Sequence, residues 1–324
     1  MDGAAVTEKK MMEVLQRWGW RRIVSTAVTA LVLLFFVYVL HRQWQAGHFH
    51  ELKYSIAPIL LSSLGMFALA VLLGFLWCWI LGLVSGQKVR LRPLLYAHFV
   101  SWLARYVPGK IGQVVGKIVL GENIGFRRGD LIASVLYENA FFIGSGISTA
   151  LLCLGPASLR RILSPALSER WIMVLALALI AGLLLISYLL PVFMRRFLRG
   201  RRSIGRTIPA KSVLILFISY HFAHLVAGVG FYFLLTLLVP QTGVPLVDAI
   251  GILTAAHIVG VLAFIVPAGL GVRESILALL LVSYMPMDQA VLISLITRLW
   301  STVADSYVLA AVLVFRIDLK SAGS

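Results

Sequence analysis

Charge is scarce in this chain. Asp, Glu, Lys and Arg make up 13% of its 324 residues, against roughly 25% in soluble domains. Acidic residues are scarcer still, with 13 Asp and Glu against 29 Lys and Arg. Cysteine occurs twice, at Cys78 and Cys153, both inside apolar runs, which argues against a disulfide framework and for small packing residues. Several chemical signatures are missing as well. There is no HExxH, no nucleophile elbow and no convincing cluster of metal ligands, which speaks against an intramembrane enzyme and predicts neither metal nor cofactor. There is no nucleotide-binding P-loop either, so ATP is not the direct energy source. What the chain has instead is apolar bulk: 60% hydrophobic residues and a mean hydropathy of +0.95.

Apolar runs of about 20 residues cross a bilayer, and six are expected to do so here: 23–40, 55–84, 131–154, 171–193, 212–239 and 289–315. The fold class is therefore an all-α polytopic membrane protein without a soluble domain of useful size. Lys9, Lys10, Arg17, Arg21 and Arg22 precede the first run, which is longer than a signal-peptide core and reads as an uncleaved span. The net charge of +16 does not imply nucleic acid. Its basic residues lie mainly in short loops beside apolar runs, which is a topology signal. Nineteen Lys and Arg fall on one side of the expected spans, seven of them in the 194–211 loop, and five on the other. That places both termini in the cytoplasm. Arg160, Arg161 and Arg170 disagree, but the seven-residue basic loop outweighs them.

Two further apolar segments, 94–120 and 249–284, resemble each other. Without gaps, residues 97–112 and 256–271 share eight of sixteen positions, including Ala97-His98 with Ala256-His257 and Val107-Pro108 with Val266-Pro267. Both segments break: the first at Pro108, Gly109 and Gly112, the second at Pro267, Gly269 and Gly271. Proline removes a backbone donor and glycine admits angles closed to other residues. Each segment is either a re-entrant hairpin that enters and leaves on one face or a pair of short spans. Three full spans separate the two, so the second half is inverted relative to the first. Span 55–84 then maps onto 212–239 and 131–154 onto 289–315. The expected organisation is a cytoplasmic N-terminus at 1–22, repeats at 23–160 and 161–316, and a cytoplasmic tail at 317–324. Duplicated helix breaks at membrane depth are a mark of transporters built from inverted repeats.

Charges at membrane depth are costly, roughly 2.5–3.5 kcal/mol at the bilayer centre on insertion scales, and need a partner or a wet cavity. The segments hold Arg105, Lys110, Lys117, Arg273 and Arg298 against Glu138, Glu274 and Asp305. The positive surplus favours an anionic ligand such as a phosphate-bearing headgroup. Lys110 and Arg273, beside the breaks, are the leading ligand contacts, while the prolines and glycines shape the site. Arg105 and Lys117 also admit an interfacial reading in which they snorkel to phospholipid. Glu138 and Arg298 occupy equivalent positions in the two halves, so a static clasp between them is an open alternative to a ligand role. Arg298 and Asp305 are two helical turns apart on one face. His98 and His257, and His221 with His224, read better as polar packing than as proton carriers or metal ligands.

The stretches Arg105-Tyr-Val-Pro-Gly-Lys-Ile-Gly112 and Phe264-Ile-Val-Pro-Ala-Gly-Leu-Gly-Val-Arg-Glu274, with Lys117 and Glu138, resemble the flippase-like transmembrane family typified by the N-terminal domain of lysylphosphatidylglycerol synthases. The likeness covers roughly residues 55–316. It implies movement of lipids or lipid-linked intermediates across a bacterial cytoplasmic membrane. The fused synthases carry an aminoacyltransferase domain for which 324 residues leave no room, so a stand-alone membrane module is expected. Many relatives follow the glutamate equivalent to Glu138 with arginine and a nearby aspartate. Asn139 and Phe142 stand there instead, so lysylphosphatidylglycerol is not carried over as substrate. The combined expectation is a lipid flippase of the inner membrane, not an enzyme, moving an anionic phospholipid or polyprenyl-phosphate-linked lipid. Lipid-synthesis or glycosyltransferase proteins are its possible partners. The alternative is an accessory subunit of a lipid or polysaccharide assembly pathway.

Overall fold

A computed structural model describes residues 56–106, 111–154, 208–240, 242–263 and 271–315, together with the single residues 38, 41, 45, 170 and 174. Apart from residues 38 and 174, the expected spans 23–40 and 171–193, with nearly all of the basic 194–211 loop, Arg160, Arg161, Lys110, Pro108, Gly109, Pro267, Gly269 and the tail at 317–324, lie outside the described residues. Those that are described form eight α-helices and one 3-10 turn. They are α1 (Ile56–Ser85), α2 (Leu91–Leu103), the 3-10 turn (Ala104–Tyr106), α3 (Ile111–Asn123), α4 (Arg128–Cys153), α5 (Ala210–Leu238), α6 (Leu246–Leu262), α7 (Val272–Leu281) and α8 (Met287–Val314).

Three helices combine the length and apolarity needed to cross a membrane: α1 from Ile59, α4 and α5. At 1.5 Å per residue, each exceeds the roughly 30 Å hydrocarbon core. About half of each is buried in the protein. The other face turns outward, carrying Leu61 and Phe75 on α1, Leu136 and Leu152 on α4, and Ile218, Phe222 and Phe233 on α5. Helices apolar on both faces suit a lipid surround. The expected span 289–315 corresponds to α8, which has the length but is not among those three. Its sequence contains Asp288, Arg298 and Asp305, which lower its apolarity. Each of the two Pro-Gly segments is resolved into a helix on either side of its break: α2 and α3, then α6 and α7.

Local sequence accounts for several helix starts. Asp130, Asp248, Glu274 and Asp288 each sit in the first turn of α4, α6, α7 and α8, where a carboxylate meets the positive end of the helix dipole. Gly271 caps α7 at φ 81°, a left-handed angle that favours glycine. Its N–H donates to Glu274 Oε2 at 2.7 Å.

Small residues bring the helices together. A Cβ on Gly65 of α1 would lie 3.4 Å from Gly230 Cα of α5, and one on Gly228 would lie 2.6 Å from Ile250 Cα of α6. Close backbone approach of this kind is how apolar helices gain packing energy in a membrane. Gly116 similarly fits α3 against Ser101 of α2, and Gly146 fits α4 against Ile258 of α6. α8 returns against α2, with Phe99 and Phe315 6.2 Å apart between ring centroids. It also meets α1, where Trp300 Nε1 donates to Ser62 Oγ at 2.9 Å.

Candidate functional site: a cation-lined cavity

These contacts leave a cavity of about 440 Å³, within the roughly 300–1,000 Å³ of small-molecule sites. Apolar side chains line part of it, among them Met66, Leu69 and Leu73 of α1 with Val135 and Phe142 of α4. Trp102, Val114, Gly260 and Val261 also line it, and the remaining residues are polar or charged to a degree rare at membrane depth. Arg105, Lys117, Arg273 and Arg298 all line it, with Glu138 as its lining carboxylate. Gln113, Asn139 and His257 add neutral polar groups.

Each cation reaches the cavity from a different element. Lys117 comes from α3 and is almost wholly buried, at 1% exposure. Its Nζ donates to both oxygens of Glu138 on α4, at 2.5 and 2.6 Å, and lies 4.7 Å from the centre of the Trp77 ring. Trp77 is itself fixed by donating to Ser134 Oγ at 3.1 Å. The interfacial, snorkelling reading of Lys117 is therefore wrong: the side chain closes a buried ion pair. Arg105, on the 3-10 turn, reaches Asp305 of α8 with Nη2 at 2.5 and 2.7 Å from its two oxygens. Trp102 stacks under that guanidinium at 4.6 Å and donates its own Nε1–H to Asp305 Oδ1 at 3.0 Å. Two clusters of the same composition thus stand at the cavity, each a tryptophan, a cation and a carboxylate, with Lys117 and Glu138 of one and Trp102 and Arg105 of the other lining it. His98 sits between their indoles, 6.2 Å from Trp77 and 5.9 Å from Trp102 between centroids.

The third pair is looser. Arg298 Nη1 on α8 stands 3.8 Å from Glu274 Oε1 on α7, beyond hydrogen-bond range, while the other oxygen of Glu274 is engaged by the α7 cap. Arg273 precedes that glutamate, packs its Cβ region against Gly260 of α6 and is 8% exposed. His257 lies within electrostatic reach of Arg273, Arg105 and Arg298.

Of the residues expected to contact ligand, Arg105, Lys117, Glu138, Arg273 and Arg298 line one cavity, and Glu274 and Asp305 stand behind them as partners of the arginines. The expected clasp of Glu138 with Arg298 does not form. Glu138 takes Lys117 from the helix that precedes its own, and Arg298 takes Glu274 from the helix that precedes its own. Helices that follow one another through a short turn are close to begin with, so the partner nearby in the chain wins. Arg298 and Asp305, although on one helix, turn to different arginine–carboxylate pairs. The histidines are divided. His98 is buried and donates Nε2–H to the Ala70 carbonyl at 3.1 Å. His224 donates to the Phe142 carbonyl at 3.0 Å, and His221 accepts from Ser148 Oγ at 2.6 Å. These three are packing groups, whereas His257 lines the cavity. Among the described residues, no group of three His, Cys, Asp or Glu side chains could hold a metal ion.

Sequence reasoning missed Trp77, Trp102 and Gln113. Trp102 stands three residues before Arg105, a spacing that places it on the same helical face. Trp77 has no such local signal.

No curated protein matches the chain. The family described as the lysylphosphatidylglycerol synthase TM region matches it over residues 22–308. With apolar membrane-length helices in the structure and a match over most of its length, the chain is a multi-pass membrane protein that belongs to the lysylphosphatidylglycerol synthase transmembrane-region family.

Proposed function

We propose that the protein is a lipid transporter of a bacterial cytoplasmic membrane, moving a lipid with an anionic headgroup while its apolar tails stay in the bilayer. One observation carries this reading. A cavity lined in part by apolar side chains gathers Arg105, Lys117, Arg273 and Arg298 between membrane helices. An anion entering it exchanges with Asp305 and Glu274 for the arginines, gaining charge-assisted hydrogen bonds of roughly 1.5–3 kcal/mol each. Because Asp305 and Arg298 ride on α8 while Arg105 and Glu274 do not, such an exchange loosens α8 from α2 and α7. Occupancy of the cavity is thereby coupled to helix movement.

The reading includes an inverted repeat, which the helix order and packing support. The helices α1–α4 and α5–α8 follow one another in the same order, and α4 packs on α6 as α8 packs on α2. The short helix of each half is tied to the long helix after it by an ion pair of opposite polarity, Lys117 with Glu138 and Glu274 with Arg298. Two related halves give inward-open and outward-open forms of similar energy. Both termini lie in the cytoplasm on this reading.

The tightness of the Lys117–Glu138 and Arg105–Asp305 pairs favours a second reading, a non-transporting accessory subunit whose buried charges are fixed clasps. Purified protein in liposomes containing a fluorescent phosphatidylglycerol separates the alternatives. Transbilayer movement of unmodified lipid supports transport. Chemical change of the lipid marks an enzyme, and neither result leaves the accessory role.

A further inference from the structure

The three acids at the cavity are not held alike. Glu138 has both oxygens on Lys117 Nζ. Asp305 has both oxygens on Arg105, and one of them also accepts from the Trp102 indole. Glu274 gives Oε2 to the cap of α7, while its Oε1 is buried with no hydrogen-bond partner among the described residues. Arg298 Nη1 stands 3.8 Å from that oxygen. A buried acceptor left without a donor is uncommon and calls for a physical reason. At membrane depth, acids so placed serve as proton carriers.

The neighbours of Glu274 narrow the possibilities. α7 packs on α6 and α8. On α6, Asp248 is engaged by the Tyr284 hydroxyl. On α8, Asp305 is taken by Arg105, and Asp288 lies in the first turn, about 15 Å along the axis from Arg298. The groups that remain around Glu274 are Arg298, Arg273 beside it in the chain, and His257 of α6, which is within electrostatic reach of both arginines.

We propose that Glu274 is a proton-binding site coupled to the headgroup: it takes up a proton when a phosphate draws Arg298 away and releases it when the phosphate leaves. This deepens the transport reading and rests on it in taking the cavity as the headgroup site. The exchange starts at the Arg298–Glu274 pair, because no hydrogen bond has to break there. Arg273 lines the cavity too, so the phosphate competes for its charge as well. The carboxylate left behind is out of water and unmatched, and such a group neutralises itself by binding a proton. That proton comes from solvent and converts Oε1 to a hydroxyl, while Oε2 keeps the Gly271 N–H. A proton on His257 instead would add positive charge beside three guanidinium groups. The negative charge of the phosphate and the positive charge of the proton cancel, so a pH gradient across the membrane acts on the direction of lipid movement.

The test is proton uptake, read with a pH indicator in weakly buffered solution, as phosphatidylglycerol is added to the purified full chain. The phosphodiester of this lipid keeps its charge throughout. The wild type should take up as much as one proton per lipid bound, and its affinity should rise as pH falls, by up to about tenfold per pH unit. Glu274→Gln keeps the size of the side chain and an acceptor for the Gly271 N–H. It should bind the lipid with no proton uptake and with an affinity that pH does not change, whereas His257→Gln should retain the uptake. Binding by the wild type without proton uptake would overturn the proposal, and that readout needs no variant to fold. Uptake that survives in folded Glu274→Gln protein, or that disappears in His257→Gln, would overturn the assignment to Glu274. Failure of the transport reading looks different: proton uptake accompanies binding while no lipid crosses the liposome membrane.

Discussion

Lys117 is the residue whose surroundings are most demanding. An ammonium with 1% exposure persists in an apolar setting only with its charge matched, and Glu138 together with the Trp77 face provides the match. Removing one member leaves the other as a buried, unpaired charge. Lys117→Ala should therefore destabilise the protein by about 3–5 kcal/mol, read as a lower melting temperature and a smaller folded yield in detergent. The double variant Lys117→Met with Glu138→Leu replaces the pair by apolar groups of similar size and should recover most of that stability. A double variant as unstable as Lys117→Ala would mean that the pair stabilises through something other than mutual neutralisation. The identities of these charged residues were legible in the sequence, because a charge at membrane depth has to find company. Their pairing was not: the partners of Glu138 and Asp305 lie 21 and 200 residues away in the chain, and composition does not choose between candidate partners.

At the scale of helices, the apolar runs were read closely. The expected spans 55–84, 131–154 and 212–239 correspond to α1, α4 and α5 within a few residues, since length and unbroken apolarity leave few other outcomes. The boundaries shifted where capping residues lay outside the run. Arg128 and Asp130 belong to α4 because the chain turns at Gly125 just before it. Which helices would touch was not legible, since any small residue in such a sequence is a candidate contact. Gly228 shows what decides it. Gly228→Val would place a Cβ 2.6 Å from the Ile250 backbone, and neither helix can yield without disturbing the other contacts of α5. A large fall in folded yield is expected, measured as monodisperse protein recovered on size-exclusion chromatography. Gly125→Ala provides the contrast, since nothing lies within 4 Å of a Cβ there, although its φ of 101° brings some strain. Equal yields from the two variants would refute the close α5–α6 approach.

For the molecule as a whole, the proposed inverted arrangement makes a prediction about sidedness. With an odd number of crossings between the two halves, single cysteines in the 194–211 loop should react with a membrane-impermeant reagent only from the cytoplasm. Those at 240–246 should react only from outside. The native Cys78 is buried and Cys153 partly so, and replacing both first removes their background. Labelling of both loops from one side would require an even number of crossings and would remove the basis for two interchangeable halves.

The central claim is that cations in the cavity carry an anionic headgroup across the membrane. Its most direct measurement is the initial rate at which fluorescent phosphatidylglycerol crosses proteoliposome membranes, compared between the wild type and Arg273→Gln at equal protein incorporation. Losing one charge-assisted bond to phosphate should slow transport by roughly tenfold to a hundredfold, with lipid recovered unmodified and the variant eluting as folded protein. A folded Arg273→Gln protein that moves lipid at the wild-type rate would contradict the account.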